Sequence, residues 1–401
     1  PRVRRQRQMC IRDSVGVNDR TKALFENLWP LPYGVSYNSY LIADDDMVAL
    51  VDTVDVAFFE VYIKKIRSVI GDRKINYLII NHMEPDHSGS IALIKKYYPE
   101  IVLVGNKKTF EMVEGYYGVT GERYVVGDGD FLKLGYHSLR FYLVPMVHWP
   151  ETMVTFDETE GILFSGDAFG CFGALNGGCI DRNINTDIYW NEMRRYYANI
   201  VGKFGNPVQK ALQKCGGLPI KTICPTHGPV WEECIPQVVD MYDKLSRYEG
   251  EEGVVIVYGT MYGNTEELAE AIAEELSAQG IKNIILHNVS HTHHSYILAD
   301  IFKYKALIAG CTTYNMQLYP EMESLLSKVA AREMKNRLFG YFGSFTWASA
   351  AVKKLGEFTE KLKFEVVGNP VEMKQSMKAD NYAQAKELAK AMADRLKADR
   401  K

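Results

Sequence analysis

Seven residues of this sequence have side chains of the types that can bind metal ions, and each lies just after a short apolar run. Four of them lie in one loop, Asn81–Gly89, directly after the run Tyr77–Ile80. The other three follow three later apolar runs. The seven are His82, Glu84, Asp86, His87, His148, Asp167 and His227. A ligand-rich loop at the end of a strand is held on a rigid edge, so a metal ion can bind there with little cost of ordering.

The number of these residues indicates two metal ions. Seven ligands are too many for one tetrahedral zinc ion, whereas they suit two ions that share a carboxylate. A single histidine at a strand end is more often an ordinary core or loop residue. His137 is such a case, because it lies in a predicted turn and is expected to face solvent. For seven residues in this order, coincidence is a poor explanation.

The composition is that of a soluble globular protein. The chain has 401 residues, of which 47% are hydrophobic and 24% charged, and its net charge of −3 gives no reason to expect nucleic acid. No apolar run approaches the roughly 20 residues that a membrane span needs. Seven cysteines without a Cys-x-x-Cys pair argue against a disulfide framework, an iron–sulfur cluster and a zinc knuckle. We therefore expect a cytoplasmic protein without a signal peptide or membrane contact.

The first 14 residues differ from the rest, since they contain five arginines and almost no apolar pattern. One interpretation is a basic arm for nucleic acid or an anionic surface. The other, which we favour, is a disordered or artefactual leader.

The elements that must position the seven residues fall into two α/β domains. Residues 15–249 alternate strand-like and helical patterns, and include a long predicted helix, Asp187–Phe204. Tyr248–Gly253 contains two glycines and three acids, a composition typical of a linker. Residues 253–401 alternate short apolar strands with helices, which predicts a doubly wound parallel sheet.

The second domain contains a loop suited to a phosphate group. Its first predicted strand, Val254–Val257, leads through Tyr258–Thr265 directly into a predicted helix. Two glycines allow tight turns, and side-chain donors stand beside the unpaired N–H groups of the helix N-terminus. The loop has no lysine, which excludes a Walker loop, and no Gly-x-Gly-x-x-Gly, which makes a dinucleotide a poor fit. The donors are Thr260, Tyr262, Asn264 and Thr265.

This loop resembles the FMN phosphate site of flavodoxins, Ser/Thr-x-Thr/Tyr-Gly-Asn-Thr. Two later loops, Gly310–Asn315 and Gly343–Trp347, resemble the segments beside the isoalloxazine ring in that family. Cys311-Thr312 replaces a frequent Ser-Pro, and Thr346 a frequent Gly, without removing the phosphate site. The alternative is a doubly wound domain without a cofactor. The resemblance implies that Tyr314 and Trp347 stack on the ring, and that FMN is bound by Thr260, Met261, Tyr262, Gly263, Asn264, Thr265, Thr312, Thr313, Tyr314, Asn315, Gly343, Ser344, Phe345 and Trp347.

The metal-ligating pattern resembles the metallo-β-lactamase superfold, which implies an αββα sandwich. Hydrolases of that family usually have His-x-His-x-Asp-His and bind zinc, whereas Glu84 takes the middle position here. A carboxylate in place of an imidazole favours iron or manganese over zinc. The set then divides into two groups that share Asp167 as a bridge. One group is His82, Glu84 and His148, and the other is Asp86, His87 and His227.

Together the two halves resemble the flavodiiron proteins (A-type flavoproteins), from about Val15 to the end. The strings Phe25–Pro30, Gly166–Ala174 and Arg195–Ile200 are also similar to that family. The resemblance implies two irons and FMN, a rubredoxin-type electron donor, and reduction of O2 to water or of NO to N2O. Plausible pocket walls are Trp149, Phe169, Phe172 and one of Tyr196 and Tyr197.

The resemblance also implies a head-to-tail homodimer, or a dimer of such dimers. Electron tunnelling falls steeply with distance, and two compact domains of these sizes have centres about 30 Å apart. Pairing the flavin of one chain with the metals of another would avoid that distance.

Two other functions stay open. One is a zinc hydrolase with an appended flavodoxin domain for redox sensing, against which Glu84 argues. The other is a non-catalytic electron carrier or NO-binding protein. The sequence leaves open the choice between O2 and NO, the donor and the flavin potential.

Overall fold

The computed structural model describes residues 14–45 and 47–399 and divides them into two units. The first unit extends to Tyr196 and includes Asn206–Asp243, whereas the second consists of Tyr197–Gly205 and the chain from Lys244 onward. The predicted domain limits, 15–249 and 253–401, stay a prediction. The predicted leader, residues 1–14, lies outside the described residues except for Ser14.

The strands of the first unit are short and mostly buried. They are β1 (Val17–Asp19), β2 (Leu24–Phe25), β3 (Trp29–Pro30), β4 (Val35–Tyr37), β5 (Tyr40–Ala43), β6 (Val48–Val51), β7 (Tyr77–Ile79), β8 (Val102–Gly105), β9 (Arg123–Val125), β10 (Phe131–Leu134), β11 (His137–Leu143), β12 (Met153–Asp157), β13 (Ile162–Gly166) and β14 (Thr222–Pro225). Short 3₁₀ helices occupy Val56–Phe58 and Asp181–Asn183. The helices that lie wholly or mostly in this unit are α1 (Phe59–Ile70), α2 (Pro85–Ser88), α3 (Ile91–Tyr97), α4 (Lys107–Tyr117), α5 (Asp187–Tyr196), α6 (Gly205–Cys215) and α7 (Ile235–Ser246).

Two five-stranded sheets form the centre of the first unit. One has the order β5-β6-β7-β8-β9 and the other β10-β11-β12-β13-β14. Ile42, Val51 and Ile79 of the first sheet belong to the same buried cluster as Phe141 and Phe164 of the second. The core therefore lies between the sheets, and the predicted αββα sandwich is confirmed.

Local sequence explains where the covering helices begin and end. Along α1, Phe59, Ile63, Ile66 and Ile70 are buried at helical spacing, and Gly71 follows with a φ of +61°. Asn106 caps α4 by accepting hydrogen bonds from the N–H groups of Lys108 and Thr109, at 3.0 and 3.2 Å.

The strand directions bring the ligand-bearing loops to one edge. β12 is antiparallel to both of its neighbours, and β14 is parallel to β13, so the carboxyl ends of β11, β13 and β14 point the same way. The loop after β7 joins this edge from the other sheet. Its Asn81 carbonyl accepts a hydrogen bond from the N–H of Met153, and its side-chain carbonyl accepts one from Thr155 Oγ1, at 2.9 and 2.8 Å.

The second unit is one parallel sheet covered by helices. Its strands are β15 (Glu251–Gly259), β16 (Ile284–Asn288), β17 (Tyr304–Thr312), β18 (Leu338–Phe345), β19 (Glu365–Val366) and β20 (Val371–Lys374). Its helices are α8 (Asn264–Ala278), α9 (His294–Lys303), α10 (Pro320–Ala331), α11 (Ala351–Leu362) and α12 (Ala379–Ala398), with a π-helical segment at Tyr197–Val201.

The strand order β16-β15-β17-β18-β19, with β20 also paired to β18, is that of a flavodoxin-like sheet. β15 is buried from Gly253 to Gly259 and β17 along nearly its whole length, as expected when helices cover both faces. The predicted doubly wound fold is confirmed.

Three local predictions need correction. The predicted helix Asp187–Phe204 is α-helical to Tyr196, continues as a π-helix from Tyr197 to Val201, and ends before Phe204. β15 begins at Glu251, inside the predicted linker. Gly253 belongs to this strand, and a Cβ atom on it would lie 2.3 Å from the Tyr304 ring, so this glycine serves close packing. His137 begins β11 and is buried, with Nδ1 2.7 Å from Asp157 Oδ2.

Within residues 14–45 and 47–399, no helix is both long and apolar enough to cross a membrane.

Candidate metal centre and flavin site

The structure brings all seven predicted metal ligands together in the first unit. In the first group, His148 Nε2 lies 3.1 Å from Glu84 Oε2 and 3.3 Å from His82 Nε2. The same nitrogen lies 3.2 Å from Asp167 Oδ2. Four side chains thus direct their donor atoms to one point.

The second group lies on the other side of Asp167. His87 Nε2 is 3.2 Å from Asp167 Oδ1, and His227 Nε2 is 3.2 Å from Asp86 Oδ2. His87 Nε2 and Asp86 Oδ1 are 3.7 Å apart. One oxygen of Asp167 therefore faces each group, which is the arrangement that a bridging carboxylate requires.

The donor set fits metal ions better than internal hydrogen bonds. Bonds of about 2.1 Å place neighbouring ligand atoms about 3.0 to 3.4 Å apart around a metal, close to the separations above. Within the described part of the chain, both carboxylate oxygens of Asp86 and Nε2 of His87 and of His227 are buried without a hydrogen-bond partner. Buried polar atoms that lack a partner are costly unless a missing ion satisfies them.

The carboxylates shift the pKa values of the histidines. Burial by itself lowers the pKa of His82, but hydrogen bonds with Glu151 and Glu84 raise it to about 9. Burial is likewise outweighed at His87, with a pKa of about 9, and at His148, with a pKa of about 10, by Asp167 and its neighbouring acids. Burial would raise the pKa of Asp167, yet the surrounding histidines hold it well below its usual range. The surrounding carboxylates therefore favour positive charge at the histidine positions.

Buried neighbours orient the ligands. His82 Nδ1 lies 2.7 Å from Glu151 Oε1, which also accepts a hydrogen bond from the N–H of Met83 at 2.9 Å. His227 Nδ1 donates to the Ser36 carbonyl at 2.8 Å, which leaves Nε2 free for a metal. Thr226 Oγ1 donates to Asp167 Oδ1. Such partners fix the tautomer and the direction of each ring.

The sequence did not single out Glu151, although it offered a signal. This acid follows His148 by three residues, after Trp149 and Pro150. Its side chain is fully buried. A carboxylate so close to a predicted ligand and to an aromatic residue suggests a partner for a ligand.

The loop that carries His227 depends on close packing. Asn38 Nδ2 donates to the carbonyls of Pro225 and Gly228 at 2.9 and 2.8 Å. Gly228 has a φ of +80°, and a Cβ atom there would lie 2.2 Å from Cys171 Sγ. Only glycine fits this turn.

Two of the predicted wall residues lie beside predicted ligands, and a third packs on one of these two. The Trp149 ring is centred 5.2 Å from that of His82, and the Tyr196 ring 5.8 Å from that of His227. Phe172 packs on Tyr196 at 5.1 Å. The Phe169 ring packs on Tyr242 at 4.7 Å. Tyr197 belongs to the second unit, where it packs on Phe302, so Tyr196 is the tyrosine beside the metal ligands.

In the second unit, the predicted flavin residues lie at the carboxyl ends of β15, β17 and β18. Gly263, with a φ of +92°, precedes α8 and makes no side-chain cap, so the N–H groups of the first turn remain available to a phosphate. Thr265 and Ser344 hydroxyls are 2.8 Å apart, and the Thr313 N–H donates to the Ser344 carbonyl at 2.7 Å. The three loops therefore form one connected edge.

Large aromatic side chains stand exposed on these loops. Tyr262 is 88% exposed and Trp347 87%, and Tyr314 is also exposed. Exposed aromatic side chains that share one edge of a domain are typical of a binding surface. A flat ring system such as isoalloxazine is a fitting partner.

Comparisons with known proteins agree with both sites. Residues 35–228 match the family model described as "ODP family beta lactamase", and residues 256–391 match the flavodoxin family. The nitric oxide reductase of Moorella thermoacetica is 32% identical over 84% of this chain and 84% of its own length. The rubredoxin-oxygen oxidoreductase of Megalodesulfovibrio gigas is 32% identical over 96% of each chain. The crystal structure of the flavodiiron protein from Giardia intestinalis superposes with a TM-score of 0.90 and 26% identity, covering 96% of this chain and 95% of that one.

Replacing Glu151 should weaken metal binding without changing the ligands. In Glu151→Gln the carboxylate opposite His82 becomes neutral, so we expect about a tenfold loss of iron affinity. The iron that each protein retains after dialysis against increasing concentrations of a chelator measures this affinity. Glu111→Gln, at an exposed position of α4, is the matched control. Equal iron retention by Glu151→Gln and the native protein would contradict the role.

Metal loading should release protons near neutral pH. The folded pKa values of His82, His87 and His148 lie above the ordinary value of 6.5, so these rings are protonated at pH 7 in the metal-free protein. A metal needs neutral imidazoles, so its apparent affinity should rise with pH from 6.5 up to about 9. The metal-free protein should lose the corresponding stability as the pH rises through about 9 to 10.

The measurement is anaerobic titration with Fe²⁺ in weakly buffered solution containing a pH indicator. His291→Gln, in a loop of the second unit, should release as many protons as the native protein. A titration in which no protons appear would show that the histidines are already neutral.

Proposed function

This chain belongs to the flavodiiron proteins, and from that membership we propose that it reduces O2 to water, NO to N2O, or both, with electrons supplied through FMN. The observation that carries the proposal is Asp167, whose two oxygens face two separate groups of ligands. Two nitrogens and a carboxylate on each side, with positions left for a substrate, are typical of non-haem iron sites that act on oxygen.

The first iron would be held by His82, Glu84 and His148, and the second by Asp86, His87 and His227. Asp167 would be shared between them. When bound, the two irons supply electrons and coordination sites for a diatomic gas. Glu151 and the Ser36 carbonyl hold the rings of His82 and His227 in the direction that this requires.

FMN would be bound at the carboxyl edge of the parallel sheet. The backbone and hydroxyl donors from Thr260 to Thr265 would hold its phosphate, while Tyr314 and Trp347 would cover the ring. The other predicted contacts are Thr312, Thr313, Asn315, Gly343, Ser344 and Phe345. Bound FMN can accept electrons one at a time and deliver them in pairs.

Tyr196 would donate a hydrogen bond to the substrate. Among the described residues its buried hydroxyl has no hydrogen-bond partner. Burial, together with the charges of Asp167 and Glu84, raises its pKa well above the ordinary value. The hydroxyl therefore keeps its proton and can act as a donor throughout the working range of pH.

A rubredoxin-type protein is the proposed electron donor, supported by the relative named rubredoxin-oxygen oxidoreductase. A head-to-tail homodimer, or a dimer of dimers, and a cytoplasmic location are proposed as well. The location is supported by the free state of the six cysteines from Cys171 to Cys311.

The direct test is metal and flavin content followed by gas consumption. We expect about two irons and one FMN per chain, and continued consumption of O2 or NO by protein supplied with reduced rubredoxin. Zinc without gas uptake would instead favour the hydrolase. A single turnover without continued uptake would favour the carrier.

Removing the Tyr196 hydroxyl should slow turnover. Tyr196→Phe keeps the ring packed on Phe172 but removes the donor, so we expect kcat to fall about tenfold, the value of one hydrogen bond of about 1.4 kcal/mol. Iron and FMN content should not change. Tyr116→Phe, at an exposed tyrosine of α4, is the control. Unchanged kcat for Tyr196→Phe would remove this residue from the mechanism.

If the proposed dimer forms, the protein at working concentration should sediment with the mass of at least two chains. Analytical ultracentrifugation combined with an activity assay on the same sample measures this. A fully active monomer would contradict the head-to-tail arrangement.

A further inference from the structure

An apolar cavity of about 90 Å³ lies in the first unit between α6, α7 and the second sheet. Its wall includes three residues that adjoin two predicted metal ligands in sequence. Val147 directly precedes His148, and Ala168 and Phe169 directly follow Asp167. All three wall residues are buried. The cavity lining therefore includes the sequence neighbours of two predicted ligands.

The other end of the cavity lies between two helices. Ala211 and Leu212 of α6 and Val239 of α7 line it and are only half-buried. An opening toward solvent between α6 and α7 is consistent with this exposure. The cavity thus extends from the helical surface toward the metal ligands.

The lining excludes water and ions as natural occupants. Apart from Tyr242, the side chains around the cavity are aliphatic, aromatic or a thiol. The Tyr242 hydroxyl already interacts with the backbone of Phe169 and Gly170. A buried water needs two to four polar partners, and cavities with apolar walls stay dry and accept xenon or small apolar molecules.

The size restricts the occupant further. About 90 Å³ exceeds the roughly 10 to 15 Å³ that one water-sized probe needs, so a few atoms fit. A flavin or a peptide side chain with a charged head does not suit this lining. Small neutral diatomic molecules do.

We propose that this cavity takes up the substrate gas and delivers it to the metal centre. The inference rests on the proposed function, because O2 and NO share the properties that the cavity selects: both are small, neutral and weakly polar. Uptake raises the local gas concentration beside His148 and Asp167. It should therefore affect the dependence of the rate on gas concentration, and leave kcat unchanged.

Xenon tests occupancy without any turnover. Crystals of the iron- and FMN-loaded protein under xenon pressure should show xenon between Val147 and Ala211. The Ala211→Phe variant, whose ring fills the cavity, should show none. Absence of xenon from the native cavity would overturn the proposal, as would density of a second copy of the chain seated there.

Kinetics test delivery. Ala211→Phe should raise the KM for the gas at least threefold with kcat, iron and FMN content unchanged, measured separately with O2 and with NO. Ala211→Leu, a smaller change, replaces it if the first variant does not fold, and should raise KM in the same direction. Gln213→Phe, at an exposed position of the same helix, is the control. An unchanged KM in the variant that excludes xenon would overturn the proposal.

The two proposals can fail separately. Protein that consumes neither gas refutes the proposed function, and the delivery role with it, whatever the xenon result. Protein that consumes gas normally but binds no xenon, or is insensitive to Ala211→Phe, refutes the cavity alone. A rise in KM for one gas only would assign the cavity to that substrate.

Discussion

The first unit is organised around the sharing of one carboxylate between two groups of ligands. Asp167 directs Oδ2 to His148 and Oδ1 to His87, each at 3.2 Å. Acids that repel one another and histidines that repel one another are buried together here, which is costly unless a cation compensates. The low pKa of Asp167 and the raised pKa values of the histidines are consequences of that crowding. The arrangement of the carboxylates thus favours the binding of a cation.

Such a cluster requires a rigid support, and the two sheets provide it. The ligands stand at the ends of strands that share one core, and Asn81 joins the two sheets by hydrogen bonds to Met153 and Thr155. Buried partners then fix individual rings, as Glu151 does for His82. In the second unit, too, the candidate binding residues lie in loops at the ends of buried strands, but they are hydroxyl and N–H donors. Its parallel strands end in three loops whose hydroxyls and N–H groups are linked through Ser344.

The first unit contains a charged site and an apolar cavity, and the fold keeps the two apart. Charged ligands must lie where water is restricted, because electrostatic interactions are stronger there. A small neutral molecule, in contrast, is favoured in apolar surroundings. The polar face of the loops carries His148 and Asp167, while Val147 and Ala168, their neighbours in sequence, face the apolar side. Residues adjacent in sequence therefore line two chemically different environments.

The sequence by itself predicted the two fold types, which the structure confirms, and it named the seven candidate metal ligands and the flavin loops, because spacing relative to apolar strands is local information. It misjudged His137, because its pairing with Asp157, 20 residues away, is a tertiary contact. It also placed the start of β15 too late, because Gly253 resembles a linker glycine in its local sequence. The structure shows that this glycine is needed for packing against the Tyr304 ring. Only the tertiary structure distinguished Tyr196 from Tyr197, identified Glu151 as the partner of His82, and revealed the cavity. Each of these depends on side chains distant in sequence meeting in space, which no local pattern records.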